Sequence, residues 1–411
     1  MSTPPSAAPD VADLDLAAID LADPATHCRA DIDDVWRRLR TEAPLHHQPD
    51  SPEGRGFWVL SRYDDVLDLY KDSHRFRSGP GNMLESLRKP EGDPAAGEVL
   101  FMMDAPEHQP LRNVLRKSLT PAIRQGVVDR LAARVAALIT ERIGGGRFDF
   151  AEDVADKVPI WTICELLGMP EEDRPRLLEL SRDALSAAST DQSPEDRWAT
   201  RTELLDYCAR ALEDKRDEPA DDLLSAMAAA EVDGVPLTDQ QIILNCYGLL
   251  LAGDHTSRLG MISAVERFGS RPDLLRGLRE GSVPPAAAVE EIIRWTSPVQ
   301  HVGRTAAEDF DLHGRRIRSG DIVTAWNISA NRDETAFPQA DVFVPDRTPN
   351  RHLGLGSGPH FCLGAFLGRA EIGAVLTVLR DRVGGIELCG PPQPIYSTFL
   401  RGFRSLSVAL R

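Results

Sequence analysis

Residues 351–371 read RHLGLGSGPHFCLGAFLGRAE and place one cysteine, Cys362, among glycines and ahead of a helical pattern. The glycines let the backbone turn tightly and approach a flat ligand without Cβ clashes, and they are Gly354, Gly356, Gly358 and Gly364. A helix is predicted from Leu363 to about Leu379, and the amides of its first turn are expected to lower the pKa of the thiol. A lone cysteine in such a turn is more often a small buried residue. The glycine spacing and the further motifs described below are what favour Cys362 as a metal ligand.

This stretch resembles the haem-binding signature of cytochromes P450, Phe-Gly-x-Gly-x-His-x-Cys-x-Gly. The matching positions are Gly356, Gly358, His360, Cys362 and Gly364. Leu355 stands where the signature has phenylalanine; this apolar substitute is expected to cover the sulfur side of the ring and to alter the shielding of the thiolate. The resemblance implies haem b (iron protoporphyrin IX) with the Cys362 thiolate as axial ligand. It also implies a mainly α fold with small β-sheets, in which a long central helix lies over a buried haem.

A second motif, EEIIRW, supplies Glu291 and Arg294 three residues apart, so both side chains lie on one face of a helix. By itself this pair is weak evidence, because any surface helix can carry one for a few tenths of a kcal/mol. The resemblance implies that the pair is buried, that Arg347 in the PDR sequence joins it, and that the network fixes the cysteine loop.

A third motif, APEHQPLR, places His108 and Arg112 four residues apart on one helical face. In similar P450s the equivalent positions, together with Arg304 and His360, bind the two haem propionates. Buried carboxylates require such donors. A solvated His–Arg pair is the alternative for His108 and Arg112 alone.

The segment LLLAGDHTSRL resembles the P450 oxygen-binding motif Ala-Gly-x-Asp/Glu-Thr, and its residues here are Ala252, Gly253, Asp254, His255 and Thr256. Glycine leaves room where the helix passes over the haem, and the threonine hydroxyl is expected to bond a carbonyl one turn back. Histidine replaces the acid before the threonine, and the acid stands one place earlier. Histidine also relays protons near neutral pH. A surface histidine is the alternative.

The chain reads as a single domain over residues 1–411, with a loosely ordered lead-in over the first 30 or so. The pattern from Pro106 to about Phe268 is helical. Its last segment, from Thr238, would span ~45 Å and must cross the centre of the molecule. A small sheet is predicted near the N-terminus, beginning at Gly56, and further short strands after Arg304.

The composition excludes several classes of protein. A formal charge of −17 disfavours nucleic acid and anionic lipid as partners. No signal peptide or apolar run long enough to span a membrane is found, so a cytoplasmic monomer is expected. The six cysteines are scattered, without the spacing of a disulfide framework or zinc site.

The resemblance implies a monooxygenase that inserts one oxygen atom of O2 into a mid-sized organic substrate, which we expect to be a natural-product intermediate. Electrons must come from a ferredoxin and its reductase, because the chain has no flavin, nicotinamide or iron–sulfur fingerprint. A basic patch is the predicted docking surface, formed by Arg112, Arg116, Lys117, Arg351 and Arg369. The alternatives are a P450 for oxidative coupling, desaturation or ring formation, and a non-catalytic haem-thiolate sensor.

The resemblance implies that certain segments contact the substrate, but they contain no motif that identifies it. These segments are residues 79–100 and 177–202 and the positions Leu249, Val299, His301, Val302, Thr398 and Phe399. A second-layer or solvent-facing role for His301 is an equal alternative.

Overall fold

The computed structural model describes residues 15–185, 194–232 and 234–411, and most of these residues are helical. The helices of the first half are α1 (Pro24–His27), α2 (Ile32–Glu42), α3 (Tyr63–Lys71), α4 (Leu84–Leu87), α5 (His108–Ser118), α6 (Pro121–Thr140), α7 (Lys157–Leu167) and α8 (Arg174–Leu185). Those of the second half are α9 (Pro194–Asp217), α10 (Leu223–Ala228), α11 (Asp239–Ser270), α12 (Pro272–Glu280), α13 (Pro285–Thr296), α14 (Asn327–Ala330) and α15 (Ala365–Arg382). Short 3-10 helices lie at Leu16–Ala18, Leu100–Met102 and Gly358–His360, and a π-helical turn at Ala151–Ala155.

The strands form small sheets at the periphery of these helices. In chain order they are β1 (Leu45–Gln48), β2 (Phe57–Leu60), β3 (Phe76–Arg77), β4 (Arg147–Asp149), β5 (Glu231–Val232), β6 (Val235–Pro236), β7 (His301–Ala306), β8 (Phe310–Leu312), β9 (Arg315–Ile317), β10 (Ile322–Trp326), β11 (Ile386–Leu388), β12 (Gln393–Pro394), β13 (Phe403–Ser405) and β14 (Ser407–Leu410). The largest sheet has the order β1-β2-β10-β7-β3, and β10 pairs parallel with β2 and antiparallel with β7. The mainly α fold with small sheets is therefore confirmed.

The central helix α11 contains 32 residues, so it spans roughly 48 Å. It begins with a capping box, in which Thr238 Oγ1 accepts from Gln241 N (3.2 Å) and Gln241 Oε1 accepts from Thr238 N (3.1 Å). Its C-terminal half is largely buried, and side chains such as Leu259, Ile262 and Phe268 are fully enclosed. The predicted long helix through the centre of the molecule is confirmed.

Helix α15, which follows the cysteine loop, packs along α11. A Cβ atom on Gly260 would lie only 2.7 Å from Ile372 Cδ1, so glycine permits this close approach of the two helices. The packing fixes the loop before α15 relative to the central helix.

The expectation of a loosely ordered lead-in does not hold for residues 15–30. Leu21 is fully buried and belongs to the apolar cluster that includes Trp36 and Trp326. Asp23 caps α1 by accepting from Ala25 N (2.8 Å). These residues are fixed by packing against partners distant in sequence, which composition does not reveal. Residues 1–14 lie outside the described part of the chain.

Two other boundaries differ from expectation. One of the short strands after Arg304, β10, ends at Trp326, and the chain continues directly as α14. Helix α15 begins at Ala365 rather than Leu363. None of the described helices is both long enough and apolar enough to cross a bilayer.

Candidate active site

We call residues 353–364 the cysteine loop. Within it, a backbone hydrogen bond closes the turn that leads to the cysteine, because Cys362 N donates to Leu355 O (2.9 Å). Gly356 and Gly358 adopt φ values of 69° and 65°, which favour glycine. A Cβ on Gly358 would also collide with the Tyr70 carbonyl. The sequence motif therefore specifies this turn through its backbone.

The pKa of the Cys362 thiol is raised, so the expected lowering is wrong for the thiol as it stands in the loop. Desolvation by the surrounding protein raises the pKa, and it outweighs a hydrogen bond from the Gly364 backbone and the charges of Arg112 and Arg369. Because α15 starts only at Ala365, the sulfur gains little from the helix N-terminus. Cys362 is nevertheless exposed.

Glu291, Arg294 and Arg347 come together as a buried network, as the resemblance implied. Glu291 accepts from Arg294 Nε and Nη2 (both 2.8 Å) and from Arg347 Nε (3.1 Å). It also accepts from Val344 N (2.8 Å) and from Asn350 Nδ2 (3.1 Å). Glu291 and Arg294 are both 0% exposed, so each depends on the other for charge compensation.

Asn331 connects this network to the cysteine loop, a residue that no sequence motif indicated. Arg294 Nη1 donates to Asn331 O (2.6 Å), and Asn331 Oδ1 accepts from Leu353 N (2.7 Å) at the start of the loop. Asn331 therefore joins the Glu291 network to the start of the loop.

The four residues expected to bind propionates lie close together on one side of the loop. The rings of His108 and His360 are 4.2 Å apart between centroids, and Ser78 Oγ lies 3.1 Å from His360 Nε2. Arg112 donates to the carbonyl of Phe361. Desolvation, together with the charges of Arg304, His108 and Arg112, lowers the pKa of His360 to about 3. A neutral imidazole at this position serves as a hydrogen-bond partner.

These residues fit a ligand with carboxylates. His108 is buried, and its Nε2 atom has no hydrogen-bond partner among the described residues. Arg304 is buried as well and donates from Nη1 to the carbonyl of its neighbour Gly303 (2.7 Å). Buried groups of this kind are costly unless an acceptor is bound, and the propionates of haem are such acceptors.

One face of α11 is partly open. Ala252 is exposed, and Leu249 and Thr256, which lie on the same helical face, are partly exposed. The Thr256 hydroxyl lies 3.4 Å from the carbonyl of Ala252, one turn back, as expected. The threonine hydroxyl is therefore on a face of α11 that other side chains do not fully cover.

Gly253 does not lie on that face, contrary to expectation. A Cβ atom there would come within 2.9 Å of Ile163 Cγ1 on α7, so glycine provides room for helix packing. The spacing of a motif along a helix did not reveal which side each residue faces.

Asp254 and His255 are both buried, and the alternative of a surface histidine is therefore wrong. Ser181 Oγ on α8 donates to Asp254 Oδ2 (2.7 Å), and His255 Nδ1 lies 3.3 Å from Leu251 O and 3.5 Å from Asp254 Oδ2. Desolvation raises the pKa of Asp254 and lowers that of His255. Both shifts favour neutral forms of the two side chains.

Glu371 on α15 is a further buried acid that the sequence reading missed. Both carboxyl oxygens lack a hydrogen-bond partner among the described residues, as does the nearby Ser257 hydroxyl. Desolvation raises the pKa of Glu371 to about 8, although the hydroxyls of Ser257 and Thr162 oppose this shift. A glutamate in an amphipathic pattern gives no sign that its carboxyl is enclosed by helices.

We expect Glu371→Gln to stabilise the protein increasingly as pH rises from 5 to 7. In this range the folded state retains a proton on Glu371 that the unfolded chain, with its ordinary pKa of 4.5, has released. The wild type therefore loses stability with rising pH, by up to about 1.4 kcal/mol per unit. Urea unfolding at the two pH values measures the difference, and an advantage of about 2 kcal/mol should develop. A constant difference at both would contradict the assignment.

The expected substrate contacts divide into two groups. Leu249, Val299, Val302, Thr398 and Phe399 are partly exposed. His301 is fully buried instead, and its ring lies 4.5 Å from that of Trp326 and 3.1 Å (Nδ1) from Thr398 O. Side chains alternate along β7, so Val302 and His301 face opposite sides. The solvent-facing alternative for His301 is therefore wrong, and its burial favours a role behind the contact residues.

The turn that carries Thr398 and Phe399 is held by Gln300, which the sequence reading also missed. Gln300 Nε2 donates to the carbonyls of Ser397 (3.0 Å) and Leu400 (3.1 Å), and its backbone N donates to Phe399 O (2.8 Å). Residues 186–193, in the middle of the expected contact segment 177–202, lie outside the described residues.

Comparison with known proteins gives the same assignment. The family model of cytochrome P450 matches residues 286–380. Cytochrome P450 NovI of Streptomyces niveus is 39% identical over 410 residues, which cover 100% of both chains. Linalool 8-monooxygenase of Pseudomonas putida is 30% identical over 400 residues, or 95% of this chain and 98% of the relative.

A solved structure shows the same architecture over nearly the whole chain. P450 OxyD, which is involved in the biosynthesis of vancomycin-type antibiotics, superimposes with a TM-score of 0.87 at 31% identity and covers 96% of this chain and 99% of its own. Sequence and fold thus agree with the geometry of the cysteine loop and of the central helix. The chain belongs to the cytochrome P450 family of monooxygenases.

Proposed function

We propose that the protein is a haem-thiolate monooxygenase that inserts one atom of O2 into a mid-sized natural-product intermediate. The observation that carries this proposal is the exposed Cys362 in a glycine-specified loop that matches the haem-binding signature. Haem bound through a cysteine thiolate favours cleavage of the O–O bond. The protein contributes the ligand, the orientation and the protons.

The haem would be held by Cys362 and, at its propionates, by His108, Arg112, Arg304 and His360. The unpartnered Nε2 of buried His108 supports this role. Arg112 also bonds the loop carbonyl of Phe361, so one side chain would contact both the loop and the ligand. Charge-assisted bonds of this kind are roughly twice as strong as neutral ones.

Proton delivery in this proposal uses Thr256, with His255 and Asp254 behind it. Thr256 is the member of this group on the open face, and its hydroxyl can hydrogen bond to a ligand there. The shifted pKa values of Asp254 and His255 favour a neutral acid next to a neutral imidazole. A neutral acid has a proton to give, and the imidazole can transfer it.

Two observations support a natural product as the substrate. The residues expected to contact it are partly apolar, and the chain is similar to NovI and to OxyD, which is involved in antibiotic biosynthesis. The test is a screen of aromatic and polyketide-type intermediates, free and carrier-bound, for a low-spin to high-spin shift of the ferric protein. Compounds that shift the spectrum and are then hydroxylated support the proposal. Spin-shifting compounds that are never oxidised would favour the haem-thiolate sensor.

A second candidate is oxidative coupling, desaturation or ring formation, and the replacement of the usual acid by buried His255 favours it. These reactions leave no oxygen atom in the product, so isotopically labelled dioxygen separates them. Label in the product indicates monooxygenation, whereas an oxidised product without label indicates the second candidate.

The proposed electron donor is a ferredoxin that docks on the predicted basic patch. Arg116, Lys117 and Arg351 are exposed, as docking requires. Arg369 is bonded to Glu290, so its charge is largely compensated and the patch is smaller than predicted.

Charge reversal by Arg116→Glu with Lys117→Glu should slow reduction by ferredoxin about tenfold or more at low salt, because charged surfaces mainly set the association rate. Stopped-flow reduction under carbon monoxide measures this rate, and spin-shift titration should show unchanged substrate affinity. The matched control is Arg276→Glu with Arg279→Glu on exposed positions of α12. Equal rates in the two double variants would remove the patch from the proposal.

A further inference from the structure

Two adjacent glutamates on α13, Glu290 and Glu291, bind different partners. Glu291 holds the buried network described above. Glu290 Oε1 accepts from Arg369 Nε (2.6 Å), and its Oε2 accepts from Arg369 Nη2 (2.9 Å). The same Oε2 lies 3.1 Å from His352 Nε2. Glu290 therefore connects two residues that flank Cys362 in sequence, one on each side of the loop.

The proton positions in this cluster follow from its contacts. Gly354 N donates to His352 Nδ1 (3.3 Å), so Nε2 carries the hydrogen and donates to Glu290. Desolvation alone would raise the pKa of Glu290, but hydrogen bonds from His352 and Arg369 outweigh it and lower that pKa to about 2. Both contacts therefore favour the ionised carboxylate.

Arg369 lies on α15, the helix that follows Cys362. Glu290 therefore ties that helix to His352, the residue just before the cysteine loop. Bidentate pairing restricts the guanidinium to one geometry, which a single contact would not do. Without Glu290, the half-exposed arginine is free to turn into solvent.

We propose that Glu290 is a positioning residue for the thiolate ligand, because it joins His352, just before the cysteine loop, to Arg369 on the helix after it and so holds the loop from both sides. This inference rests on the proposed haem-thiolate function and adds a residue to it. A purely structural role would predict a smaller effect on the thiolate bond, since partly exposed ion pairs contribute little to stability. The two roles are separated by a measurement on the thiolate bond itself.

The test compares Glu290→Gln and Arg369→Gln with wild type in the haem-loaded protein. Each carbonyl complex is placed in mild urea, and the rate at which its red-shifted Soret band gives way to the unshifted band is recorded. Partners behind a metal ligand typically alter affinity 10- to 100-fold, so both variants should lose the shifted band about tenfold faster. Haem content and melting temperature before urea should match wild type.

The control is Glu42→Gln, which breaks another bidentate Glu–Arg pair, with Arg38 on α2 (2.7 and 2.8 Å). A normal wild-type band with equal rates in Glu290→Gln and Glu42→Gln would overturn this inference alone. Loss of haem from Glu290→Gln before urea would show a structural role and would overturn it as well. A wild type without any red-shifted band would overturn the proposed function and this inference together.

Discussion

Glu291→Ala is expected to yield protein that retains little or no haem and unfolds at a lower temperature than wild type. The substitution removes an acceptor that is 0% exposed and leaves Arg294 and Arg347 without their carboxylate. An uncompensated buried charge costs about 3–5 kcal/mol, a large part of the stability of a typical domain. The loop is affected too, because Arg294 bonds Asn331, which in turn holds Leu353.

The measurement is the ratio of haem to protein absorbance after purification, together with thermal unfolding. Glu334→Ala is a suitable control, since that glutamate is 48% exposed and also pairs with a buried arginine, Arg40. Glu291→Gln separates charge from shape, and we expect it to lie between wild type and Glu291→Ala. Full haem content and an unchanged melting temperature in Glu291→Ala would show that the network is dispensable.

The parts of the site that depend on local backbone chemistry could be predicted from the sequence. Gly356 and Gly358 adopt the left-handed conformation that glycine favours, so the glycine motif by itself predicts the turn. The Glu291–Arg294 pair likewise follows from helical spacing. In each case neighbours in sequence determine the geometry.

Contacts between distant segments could not be predicted in this way. Asn331, Gln300 and Ser181 have ordinary polar side chains, and their roles depend on which carbonyl or carboxylate the fold brings to them. His301 was expected among the possible substrate contacts because the resemblance implies such contacts in this stretch of the chain. Side chains alternate along the strand, however, and the His301 ring packs against Trp326. The direction of a side chain is decided by the sheet rather than by the motif.

The pKa of Cys362 shows a third limit. A helix N-terminus lowers the pKa of a thiol, but desolvation raises it, and burial is not visible in the sequence. The same is true of Glu371, whose carboxyl is enclosed by helices from three parts of the chain. The balance between opposing electrostatic effects required the structure.

Cys362→Ala is expected to have the most specific effect of any substitution, because it removes the proposed axial ligand and leaves the rest of the loop in place. The loop is held by the Cys362 backbone amide, which alanine retains. Haem bound through the remaining contacts would then lack a thiolate, and the electronic signature of the sulfur should vanish. Cys389→Ala is the control, since that partly buried thiol is not part of the site.

The Soret band of the reduced protein under carbon monoxide tests most directly whether the Cys362 thiolate binds haem iron. We predict a red-shifted band in wild type and in Cys389→Ala, and its complete absence in Cys362→Ala. A Cys362→Ala protein that keeps the red-shifted band, or a wild type that binds no haem, would contradict the assignment of Cys362 as the ligand.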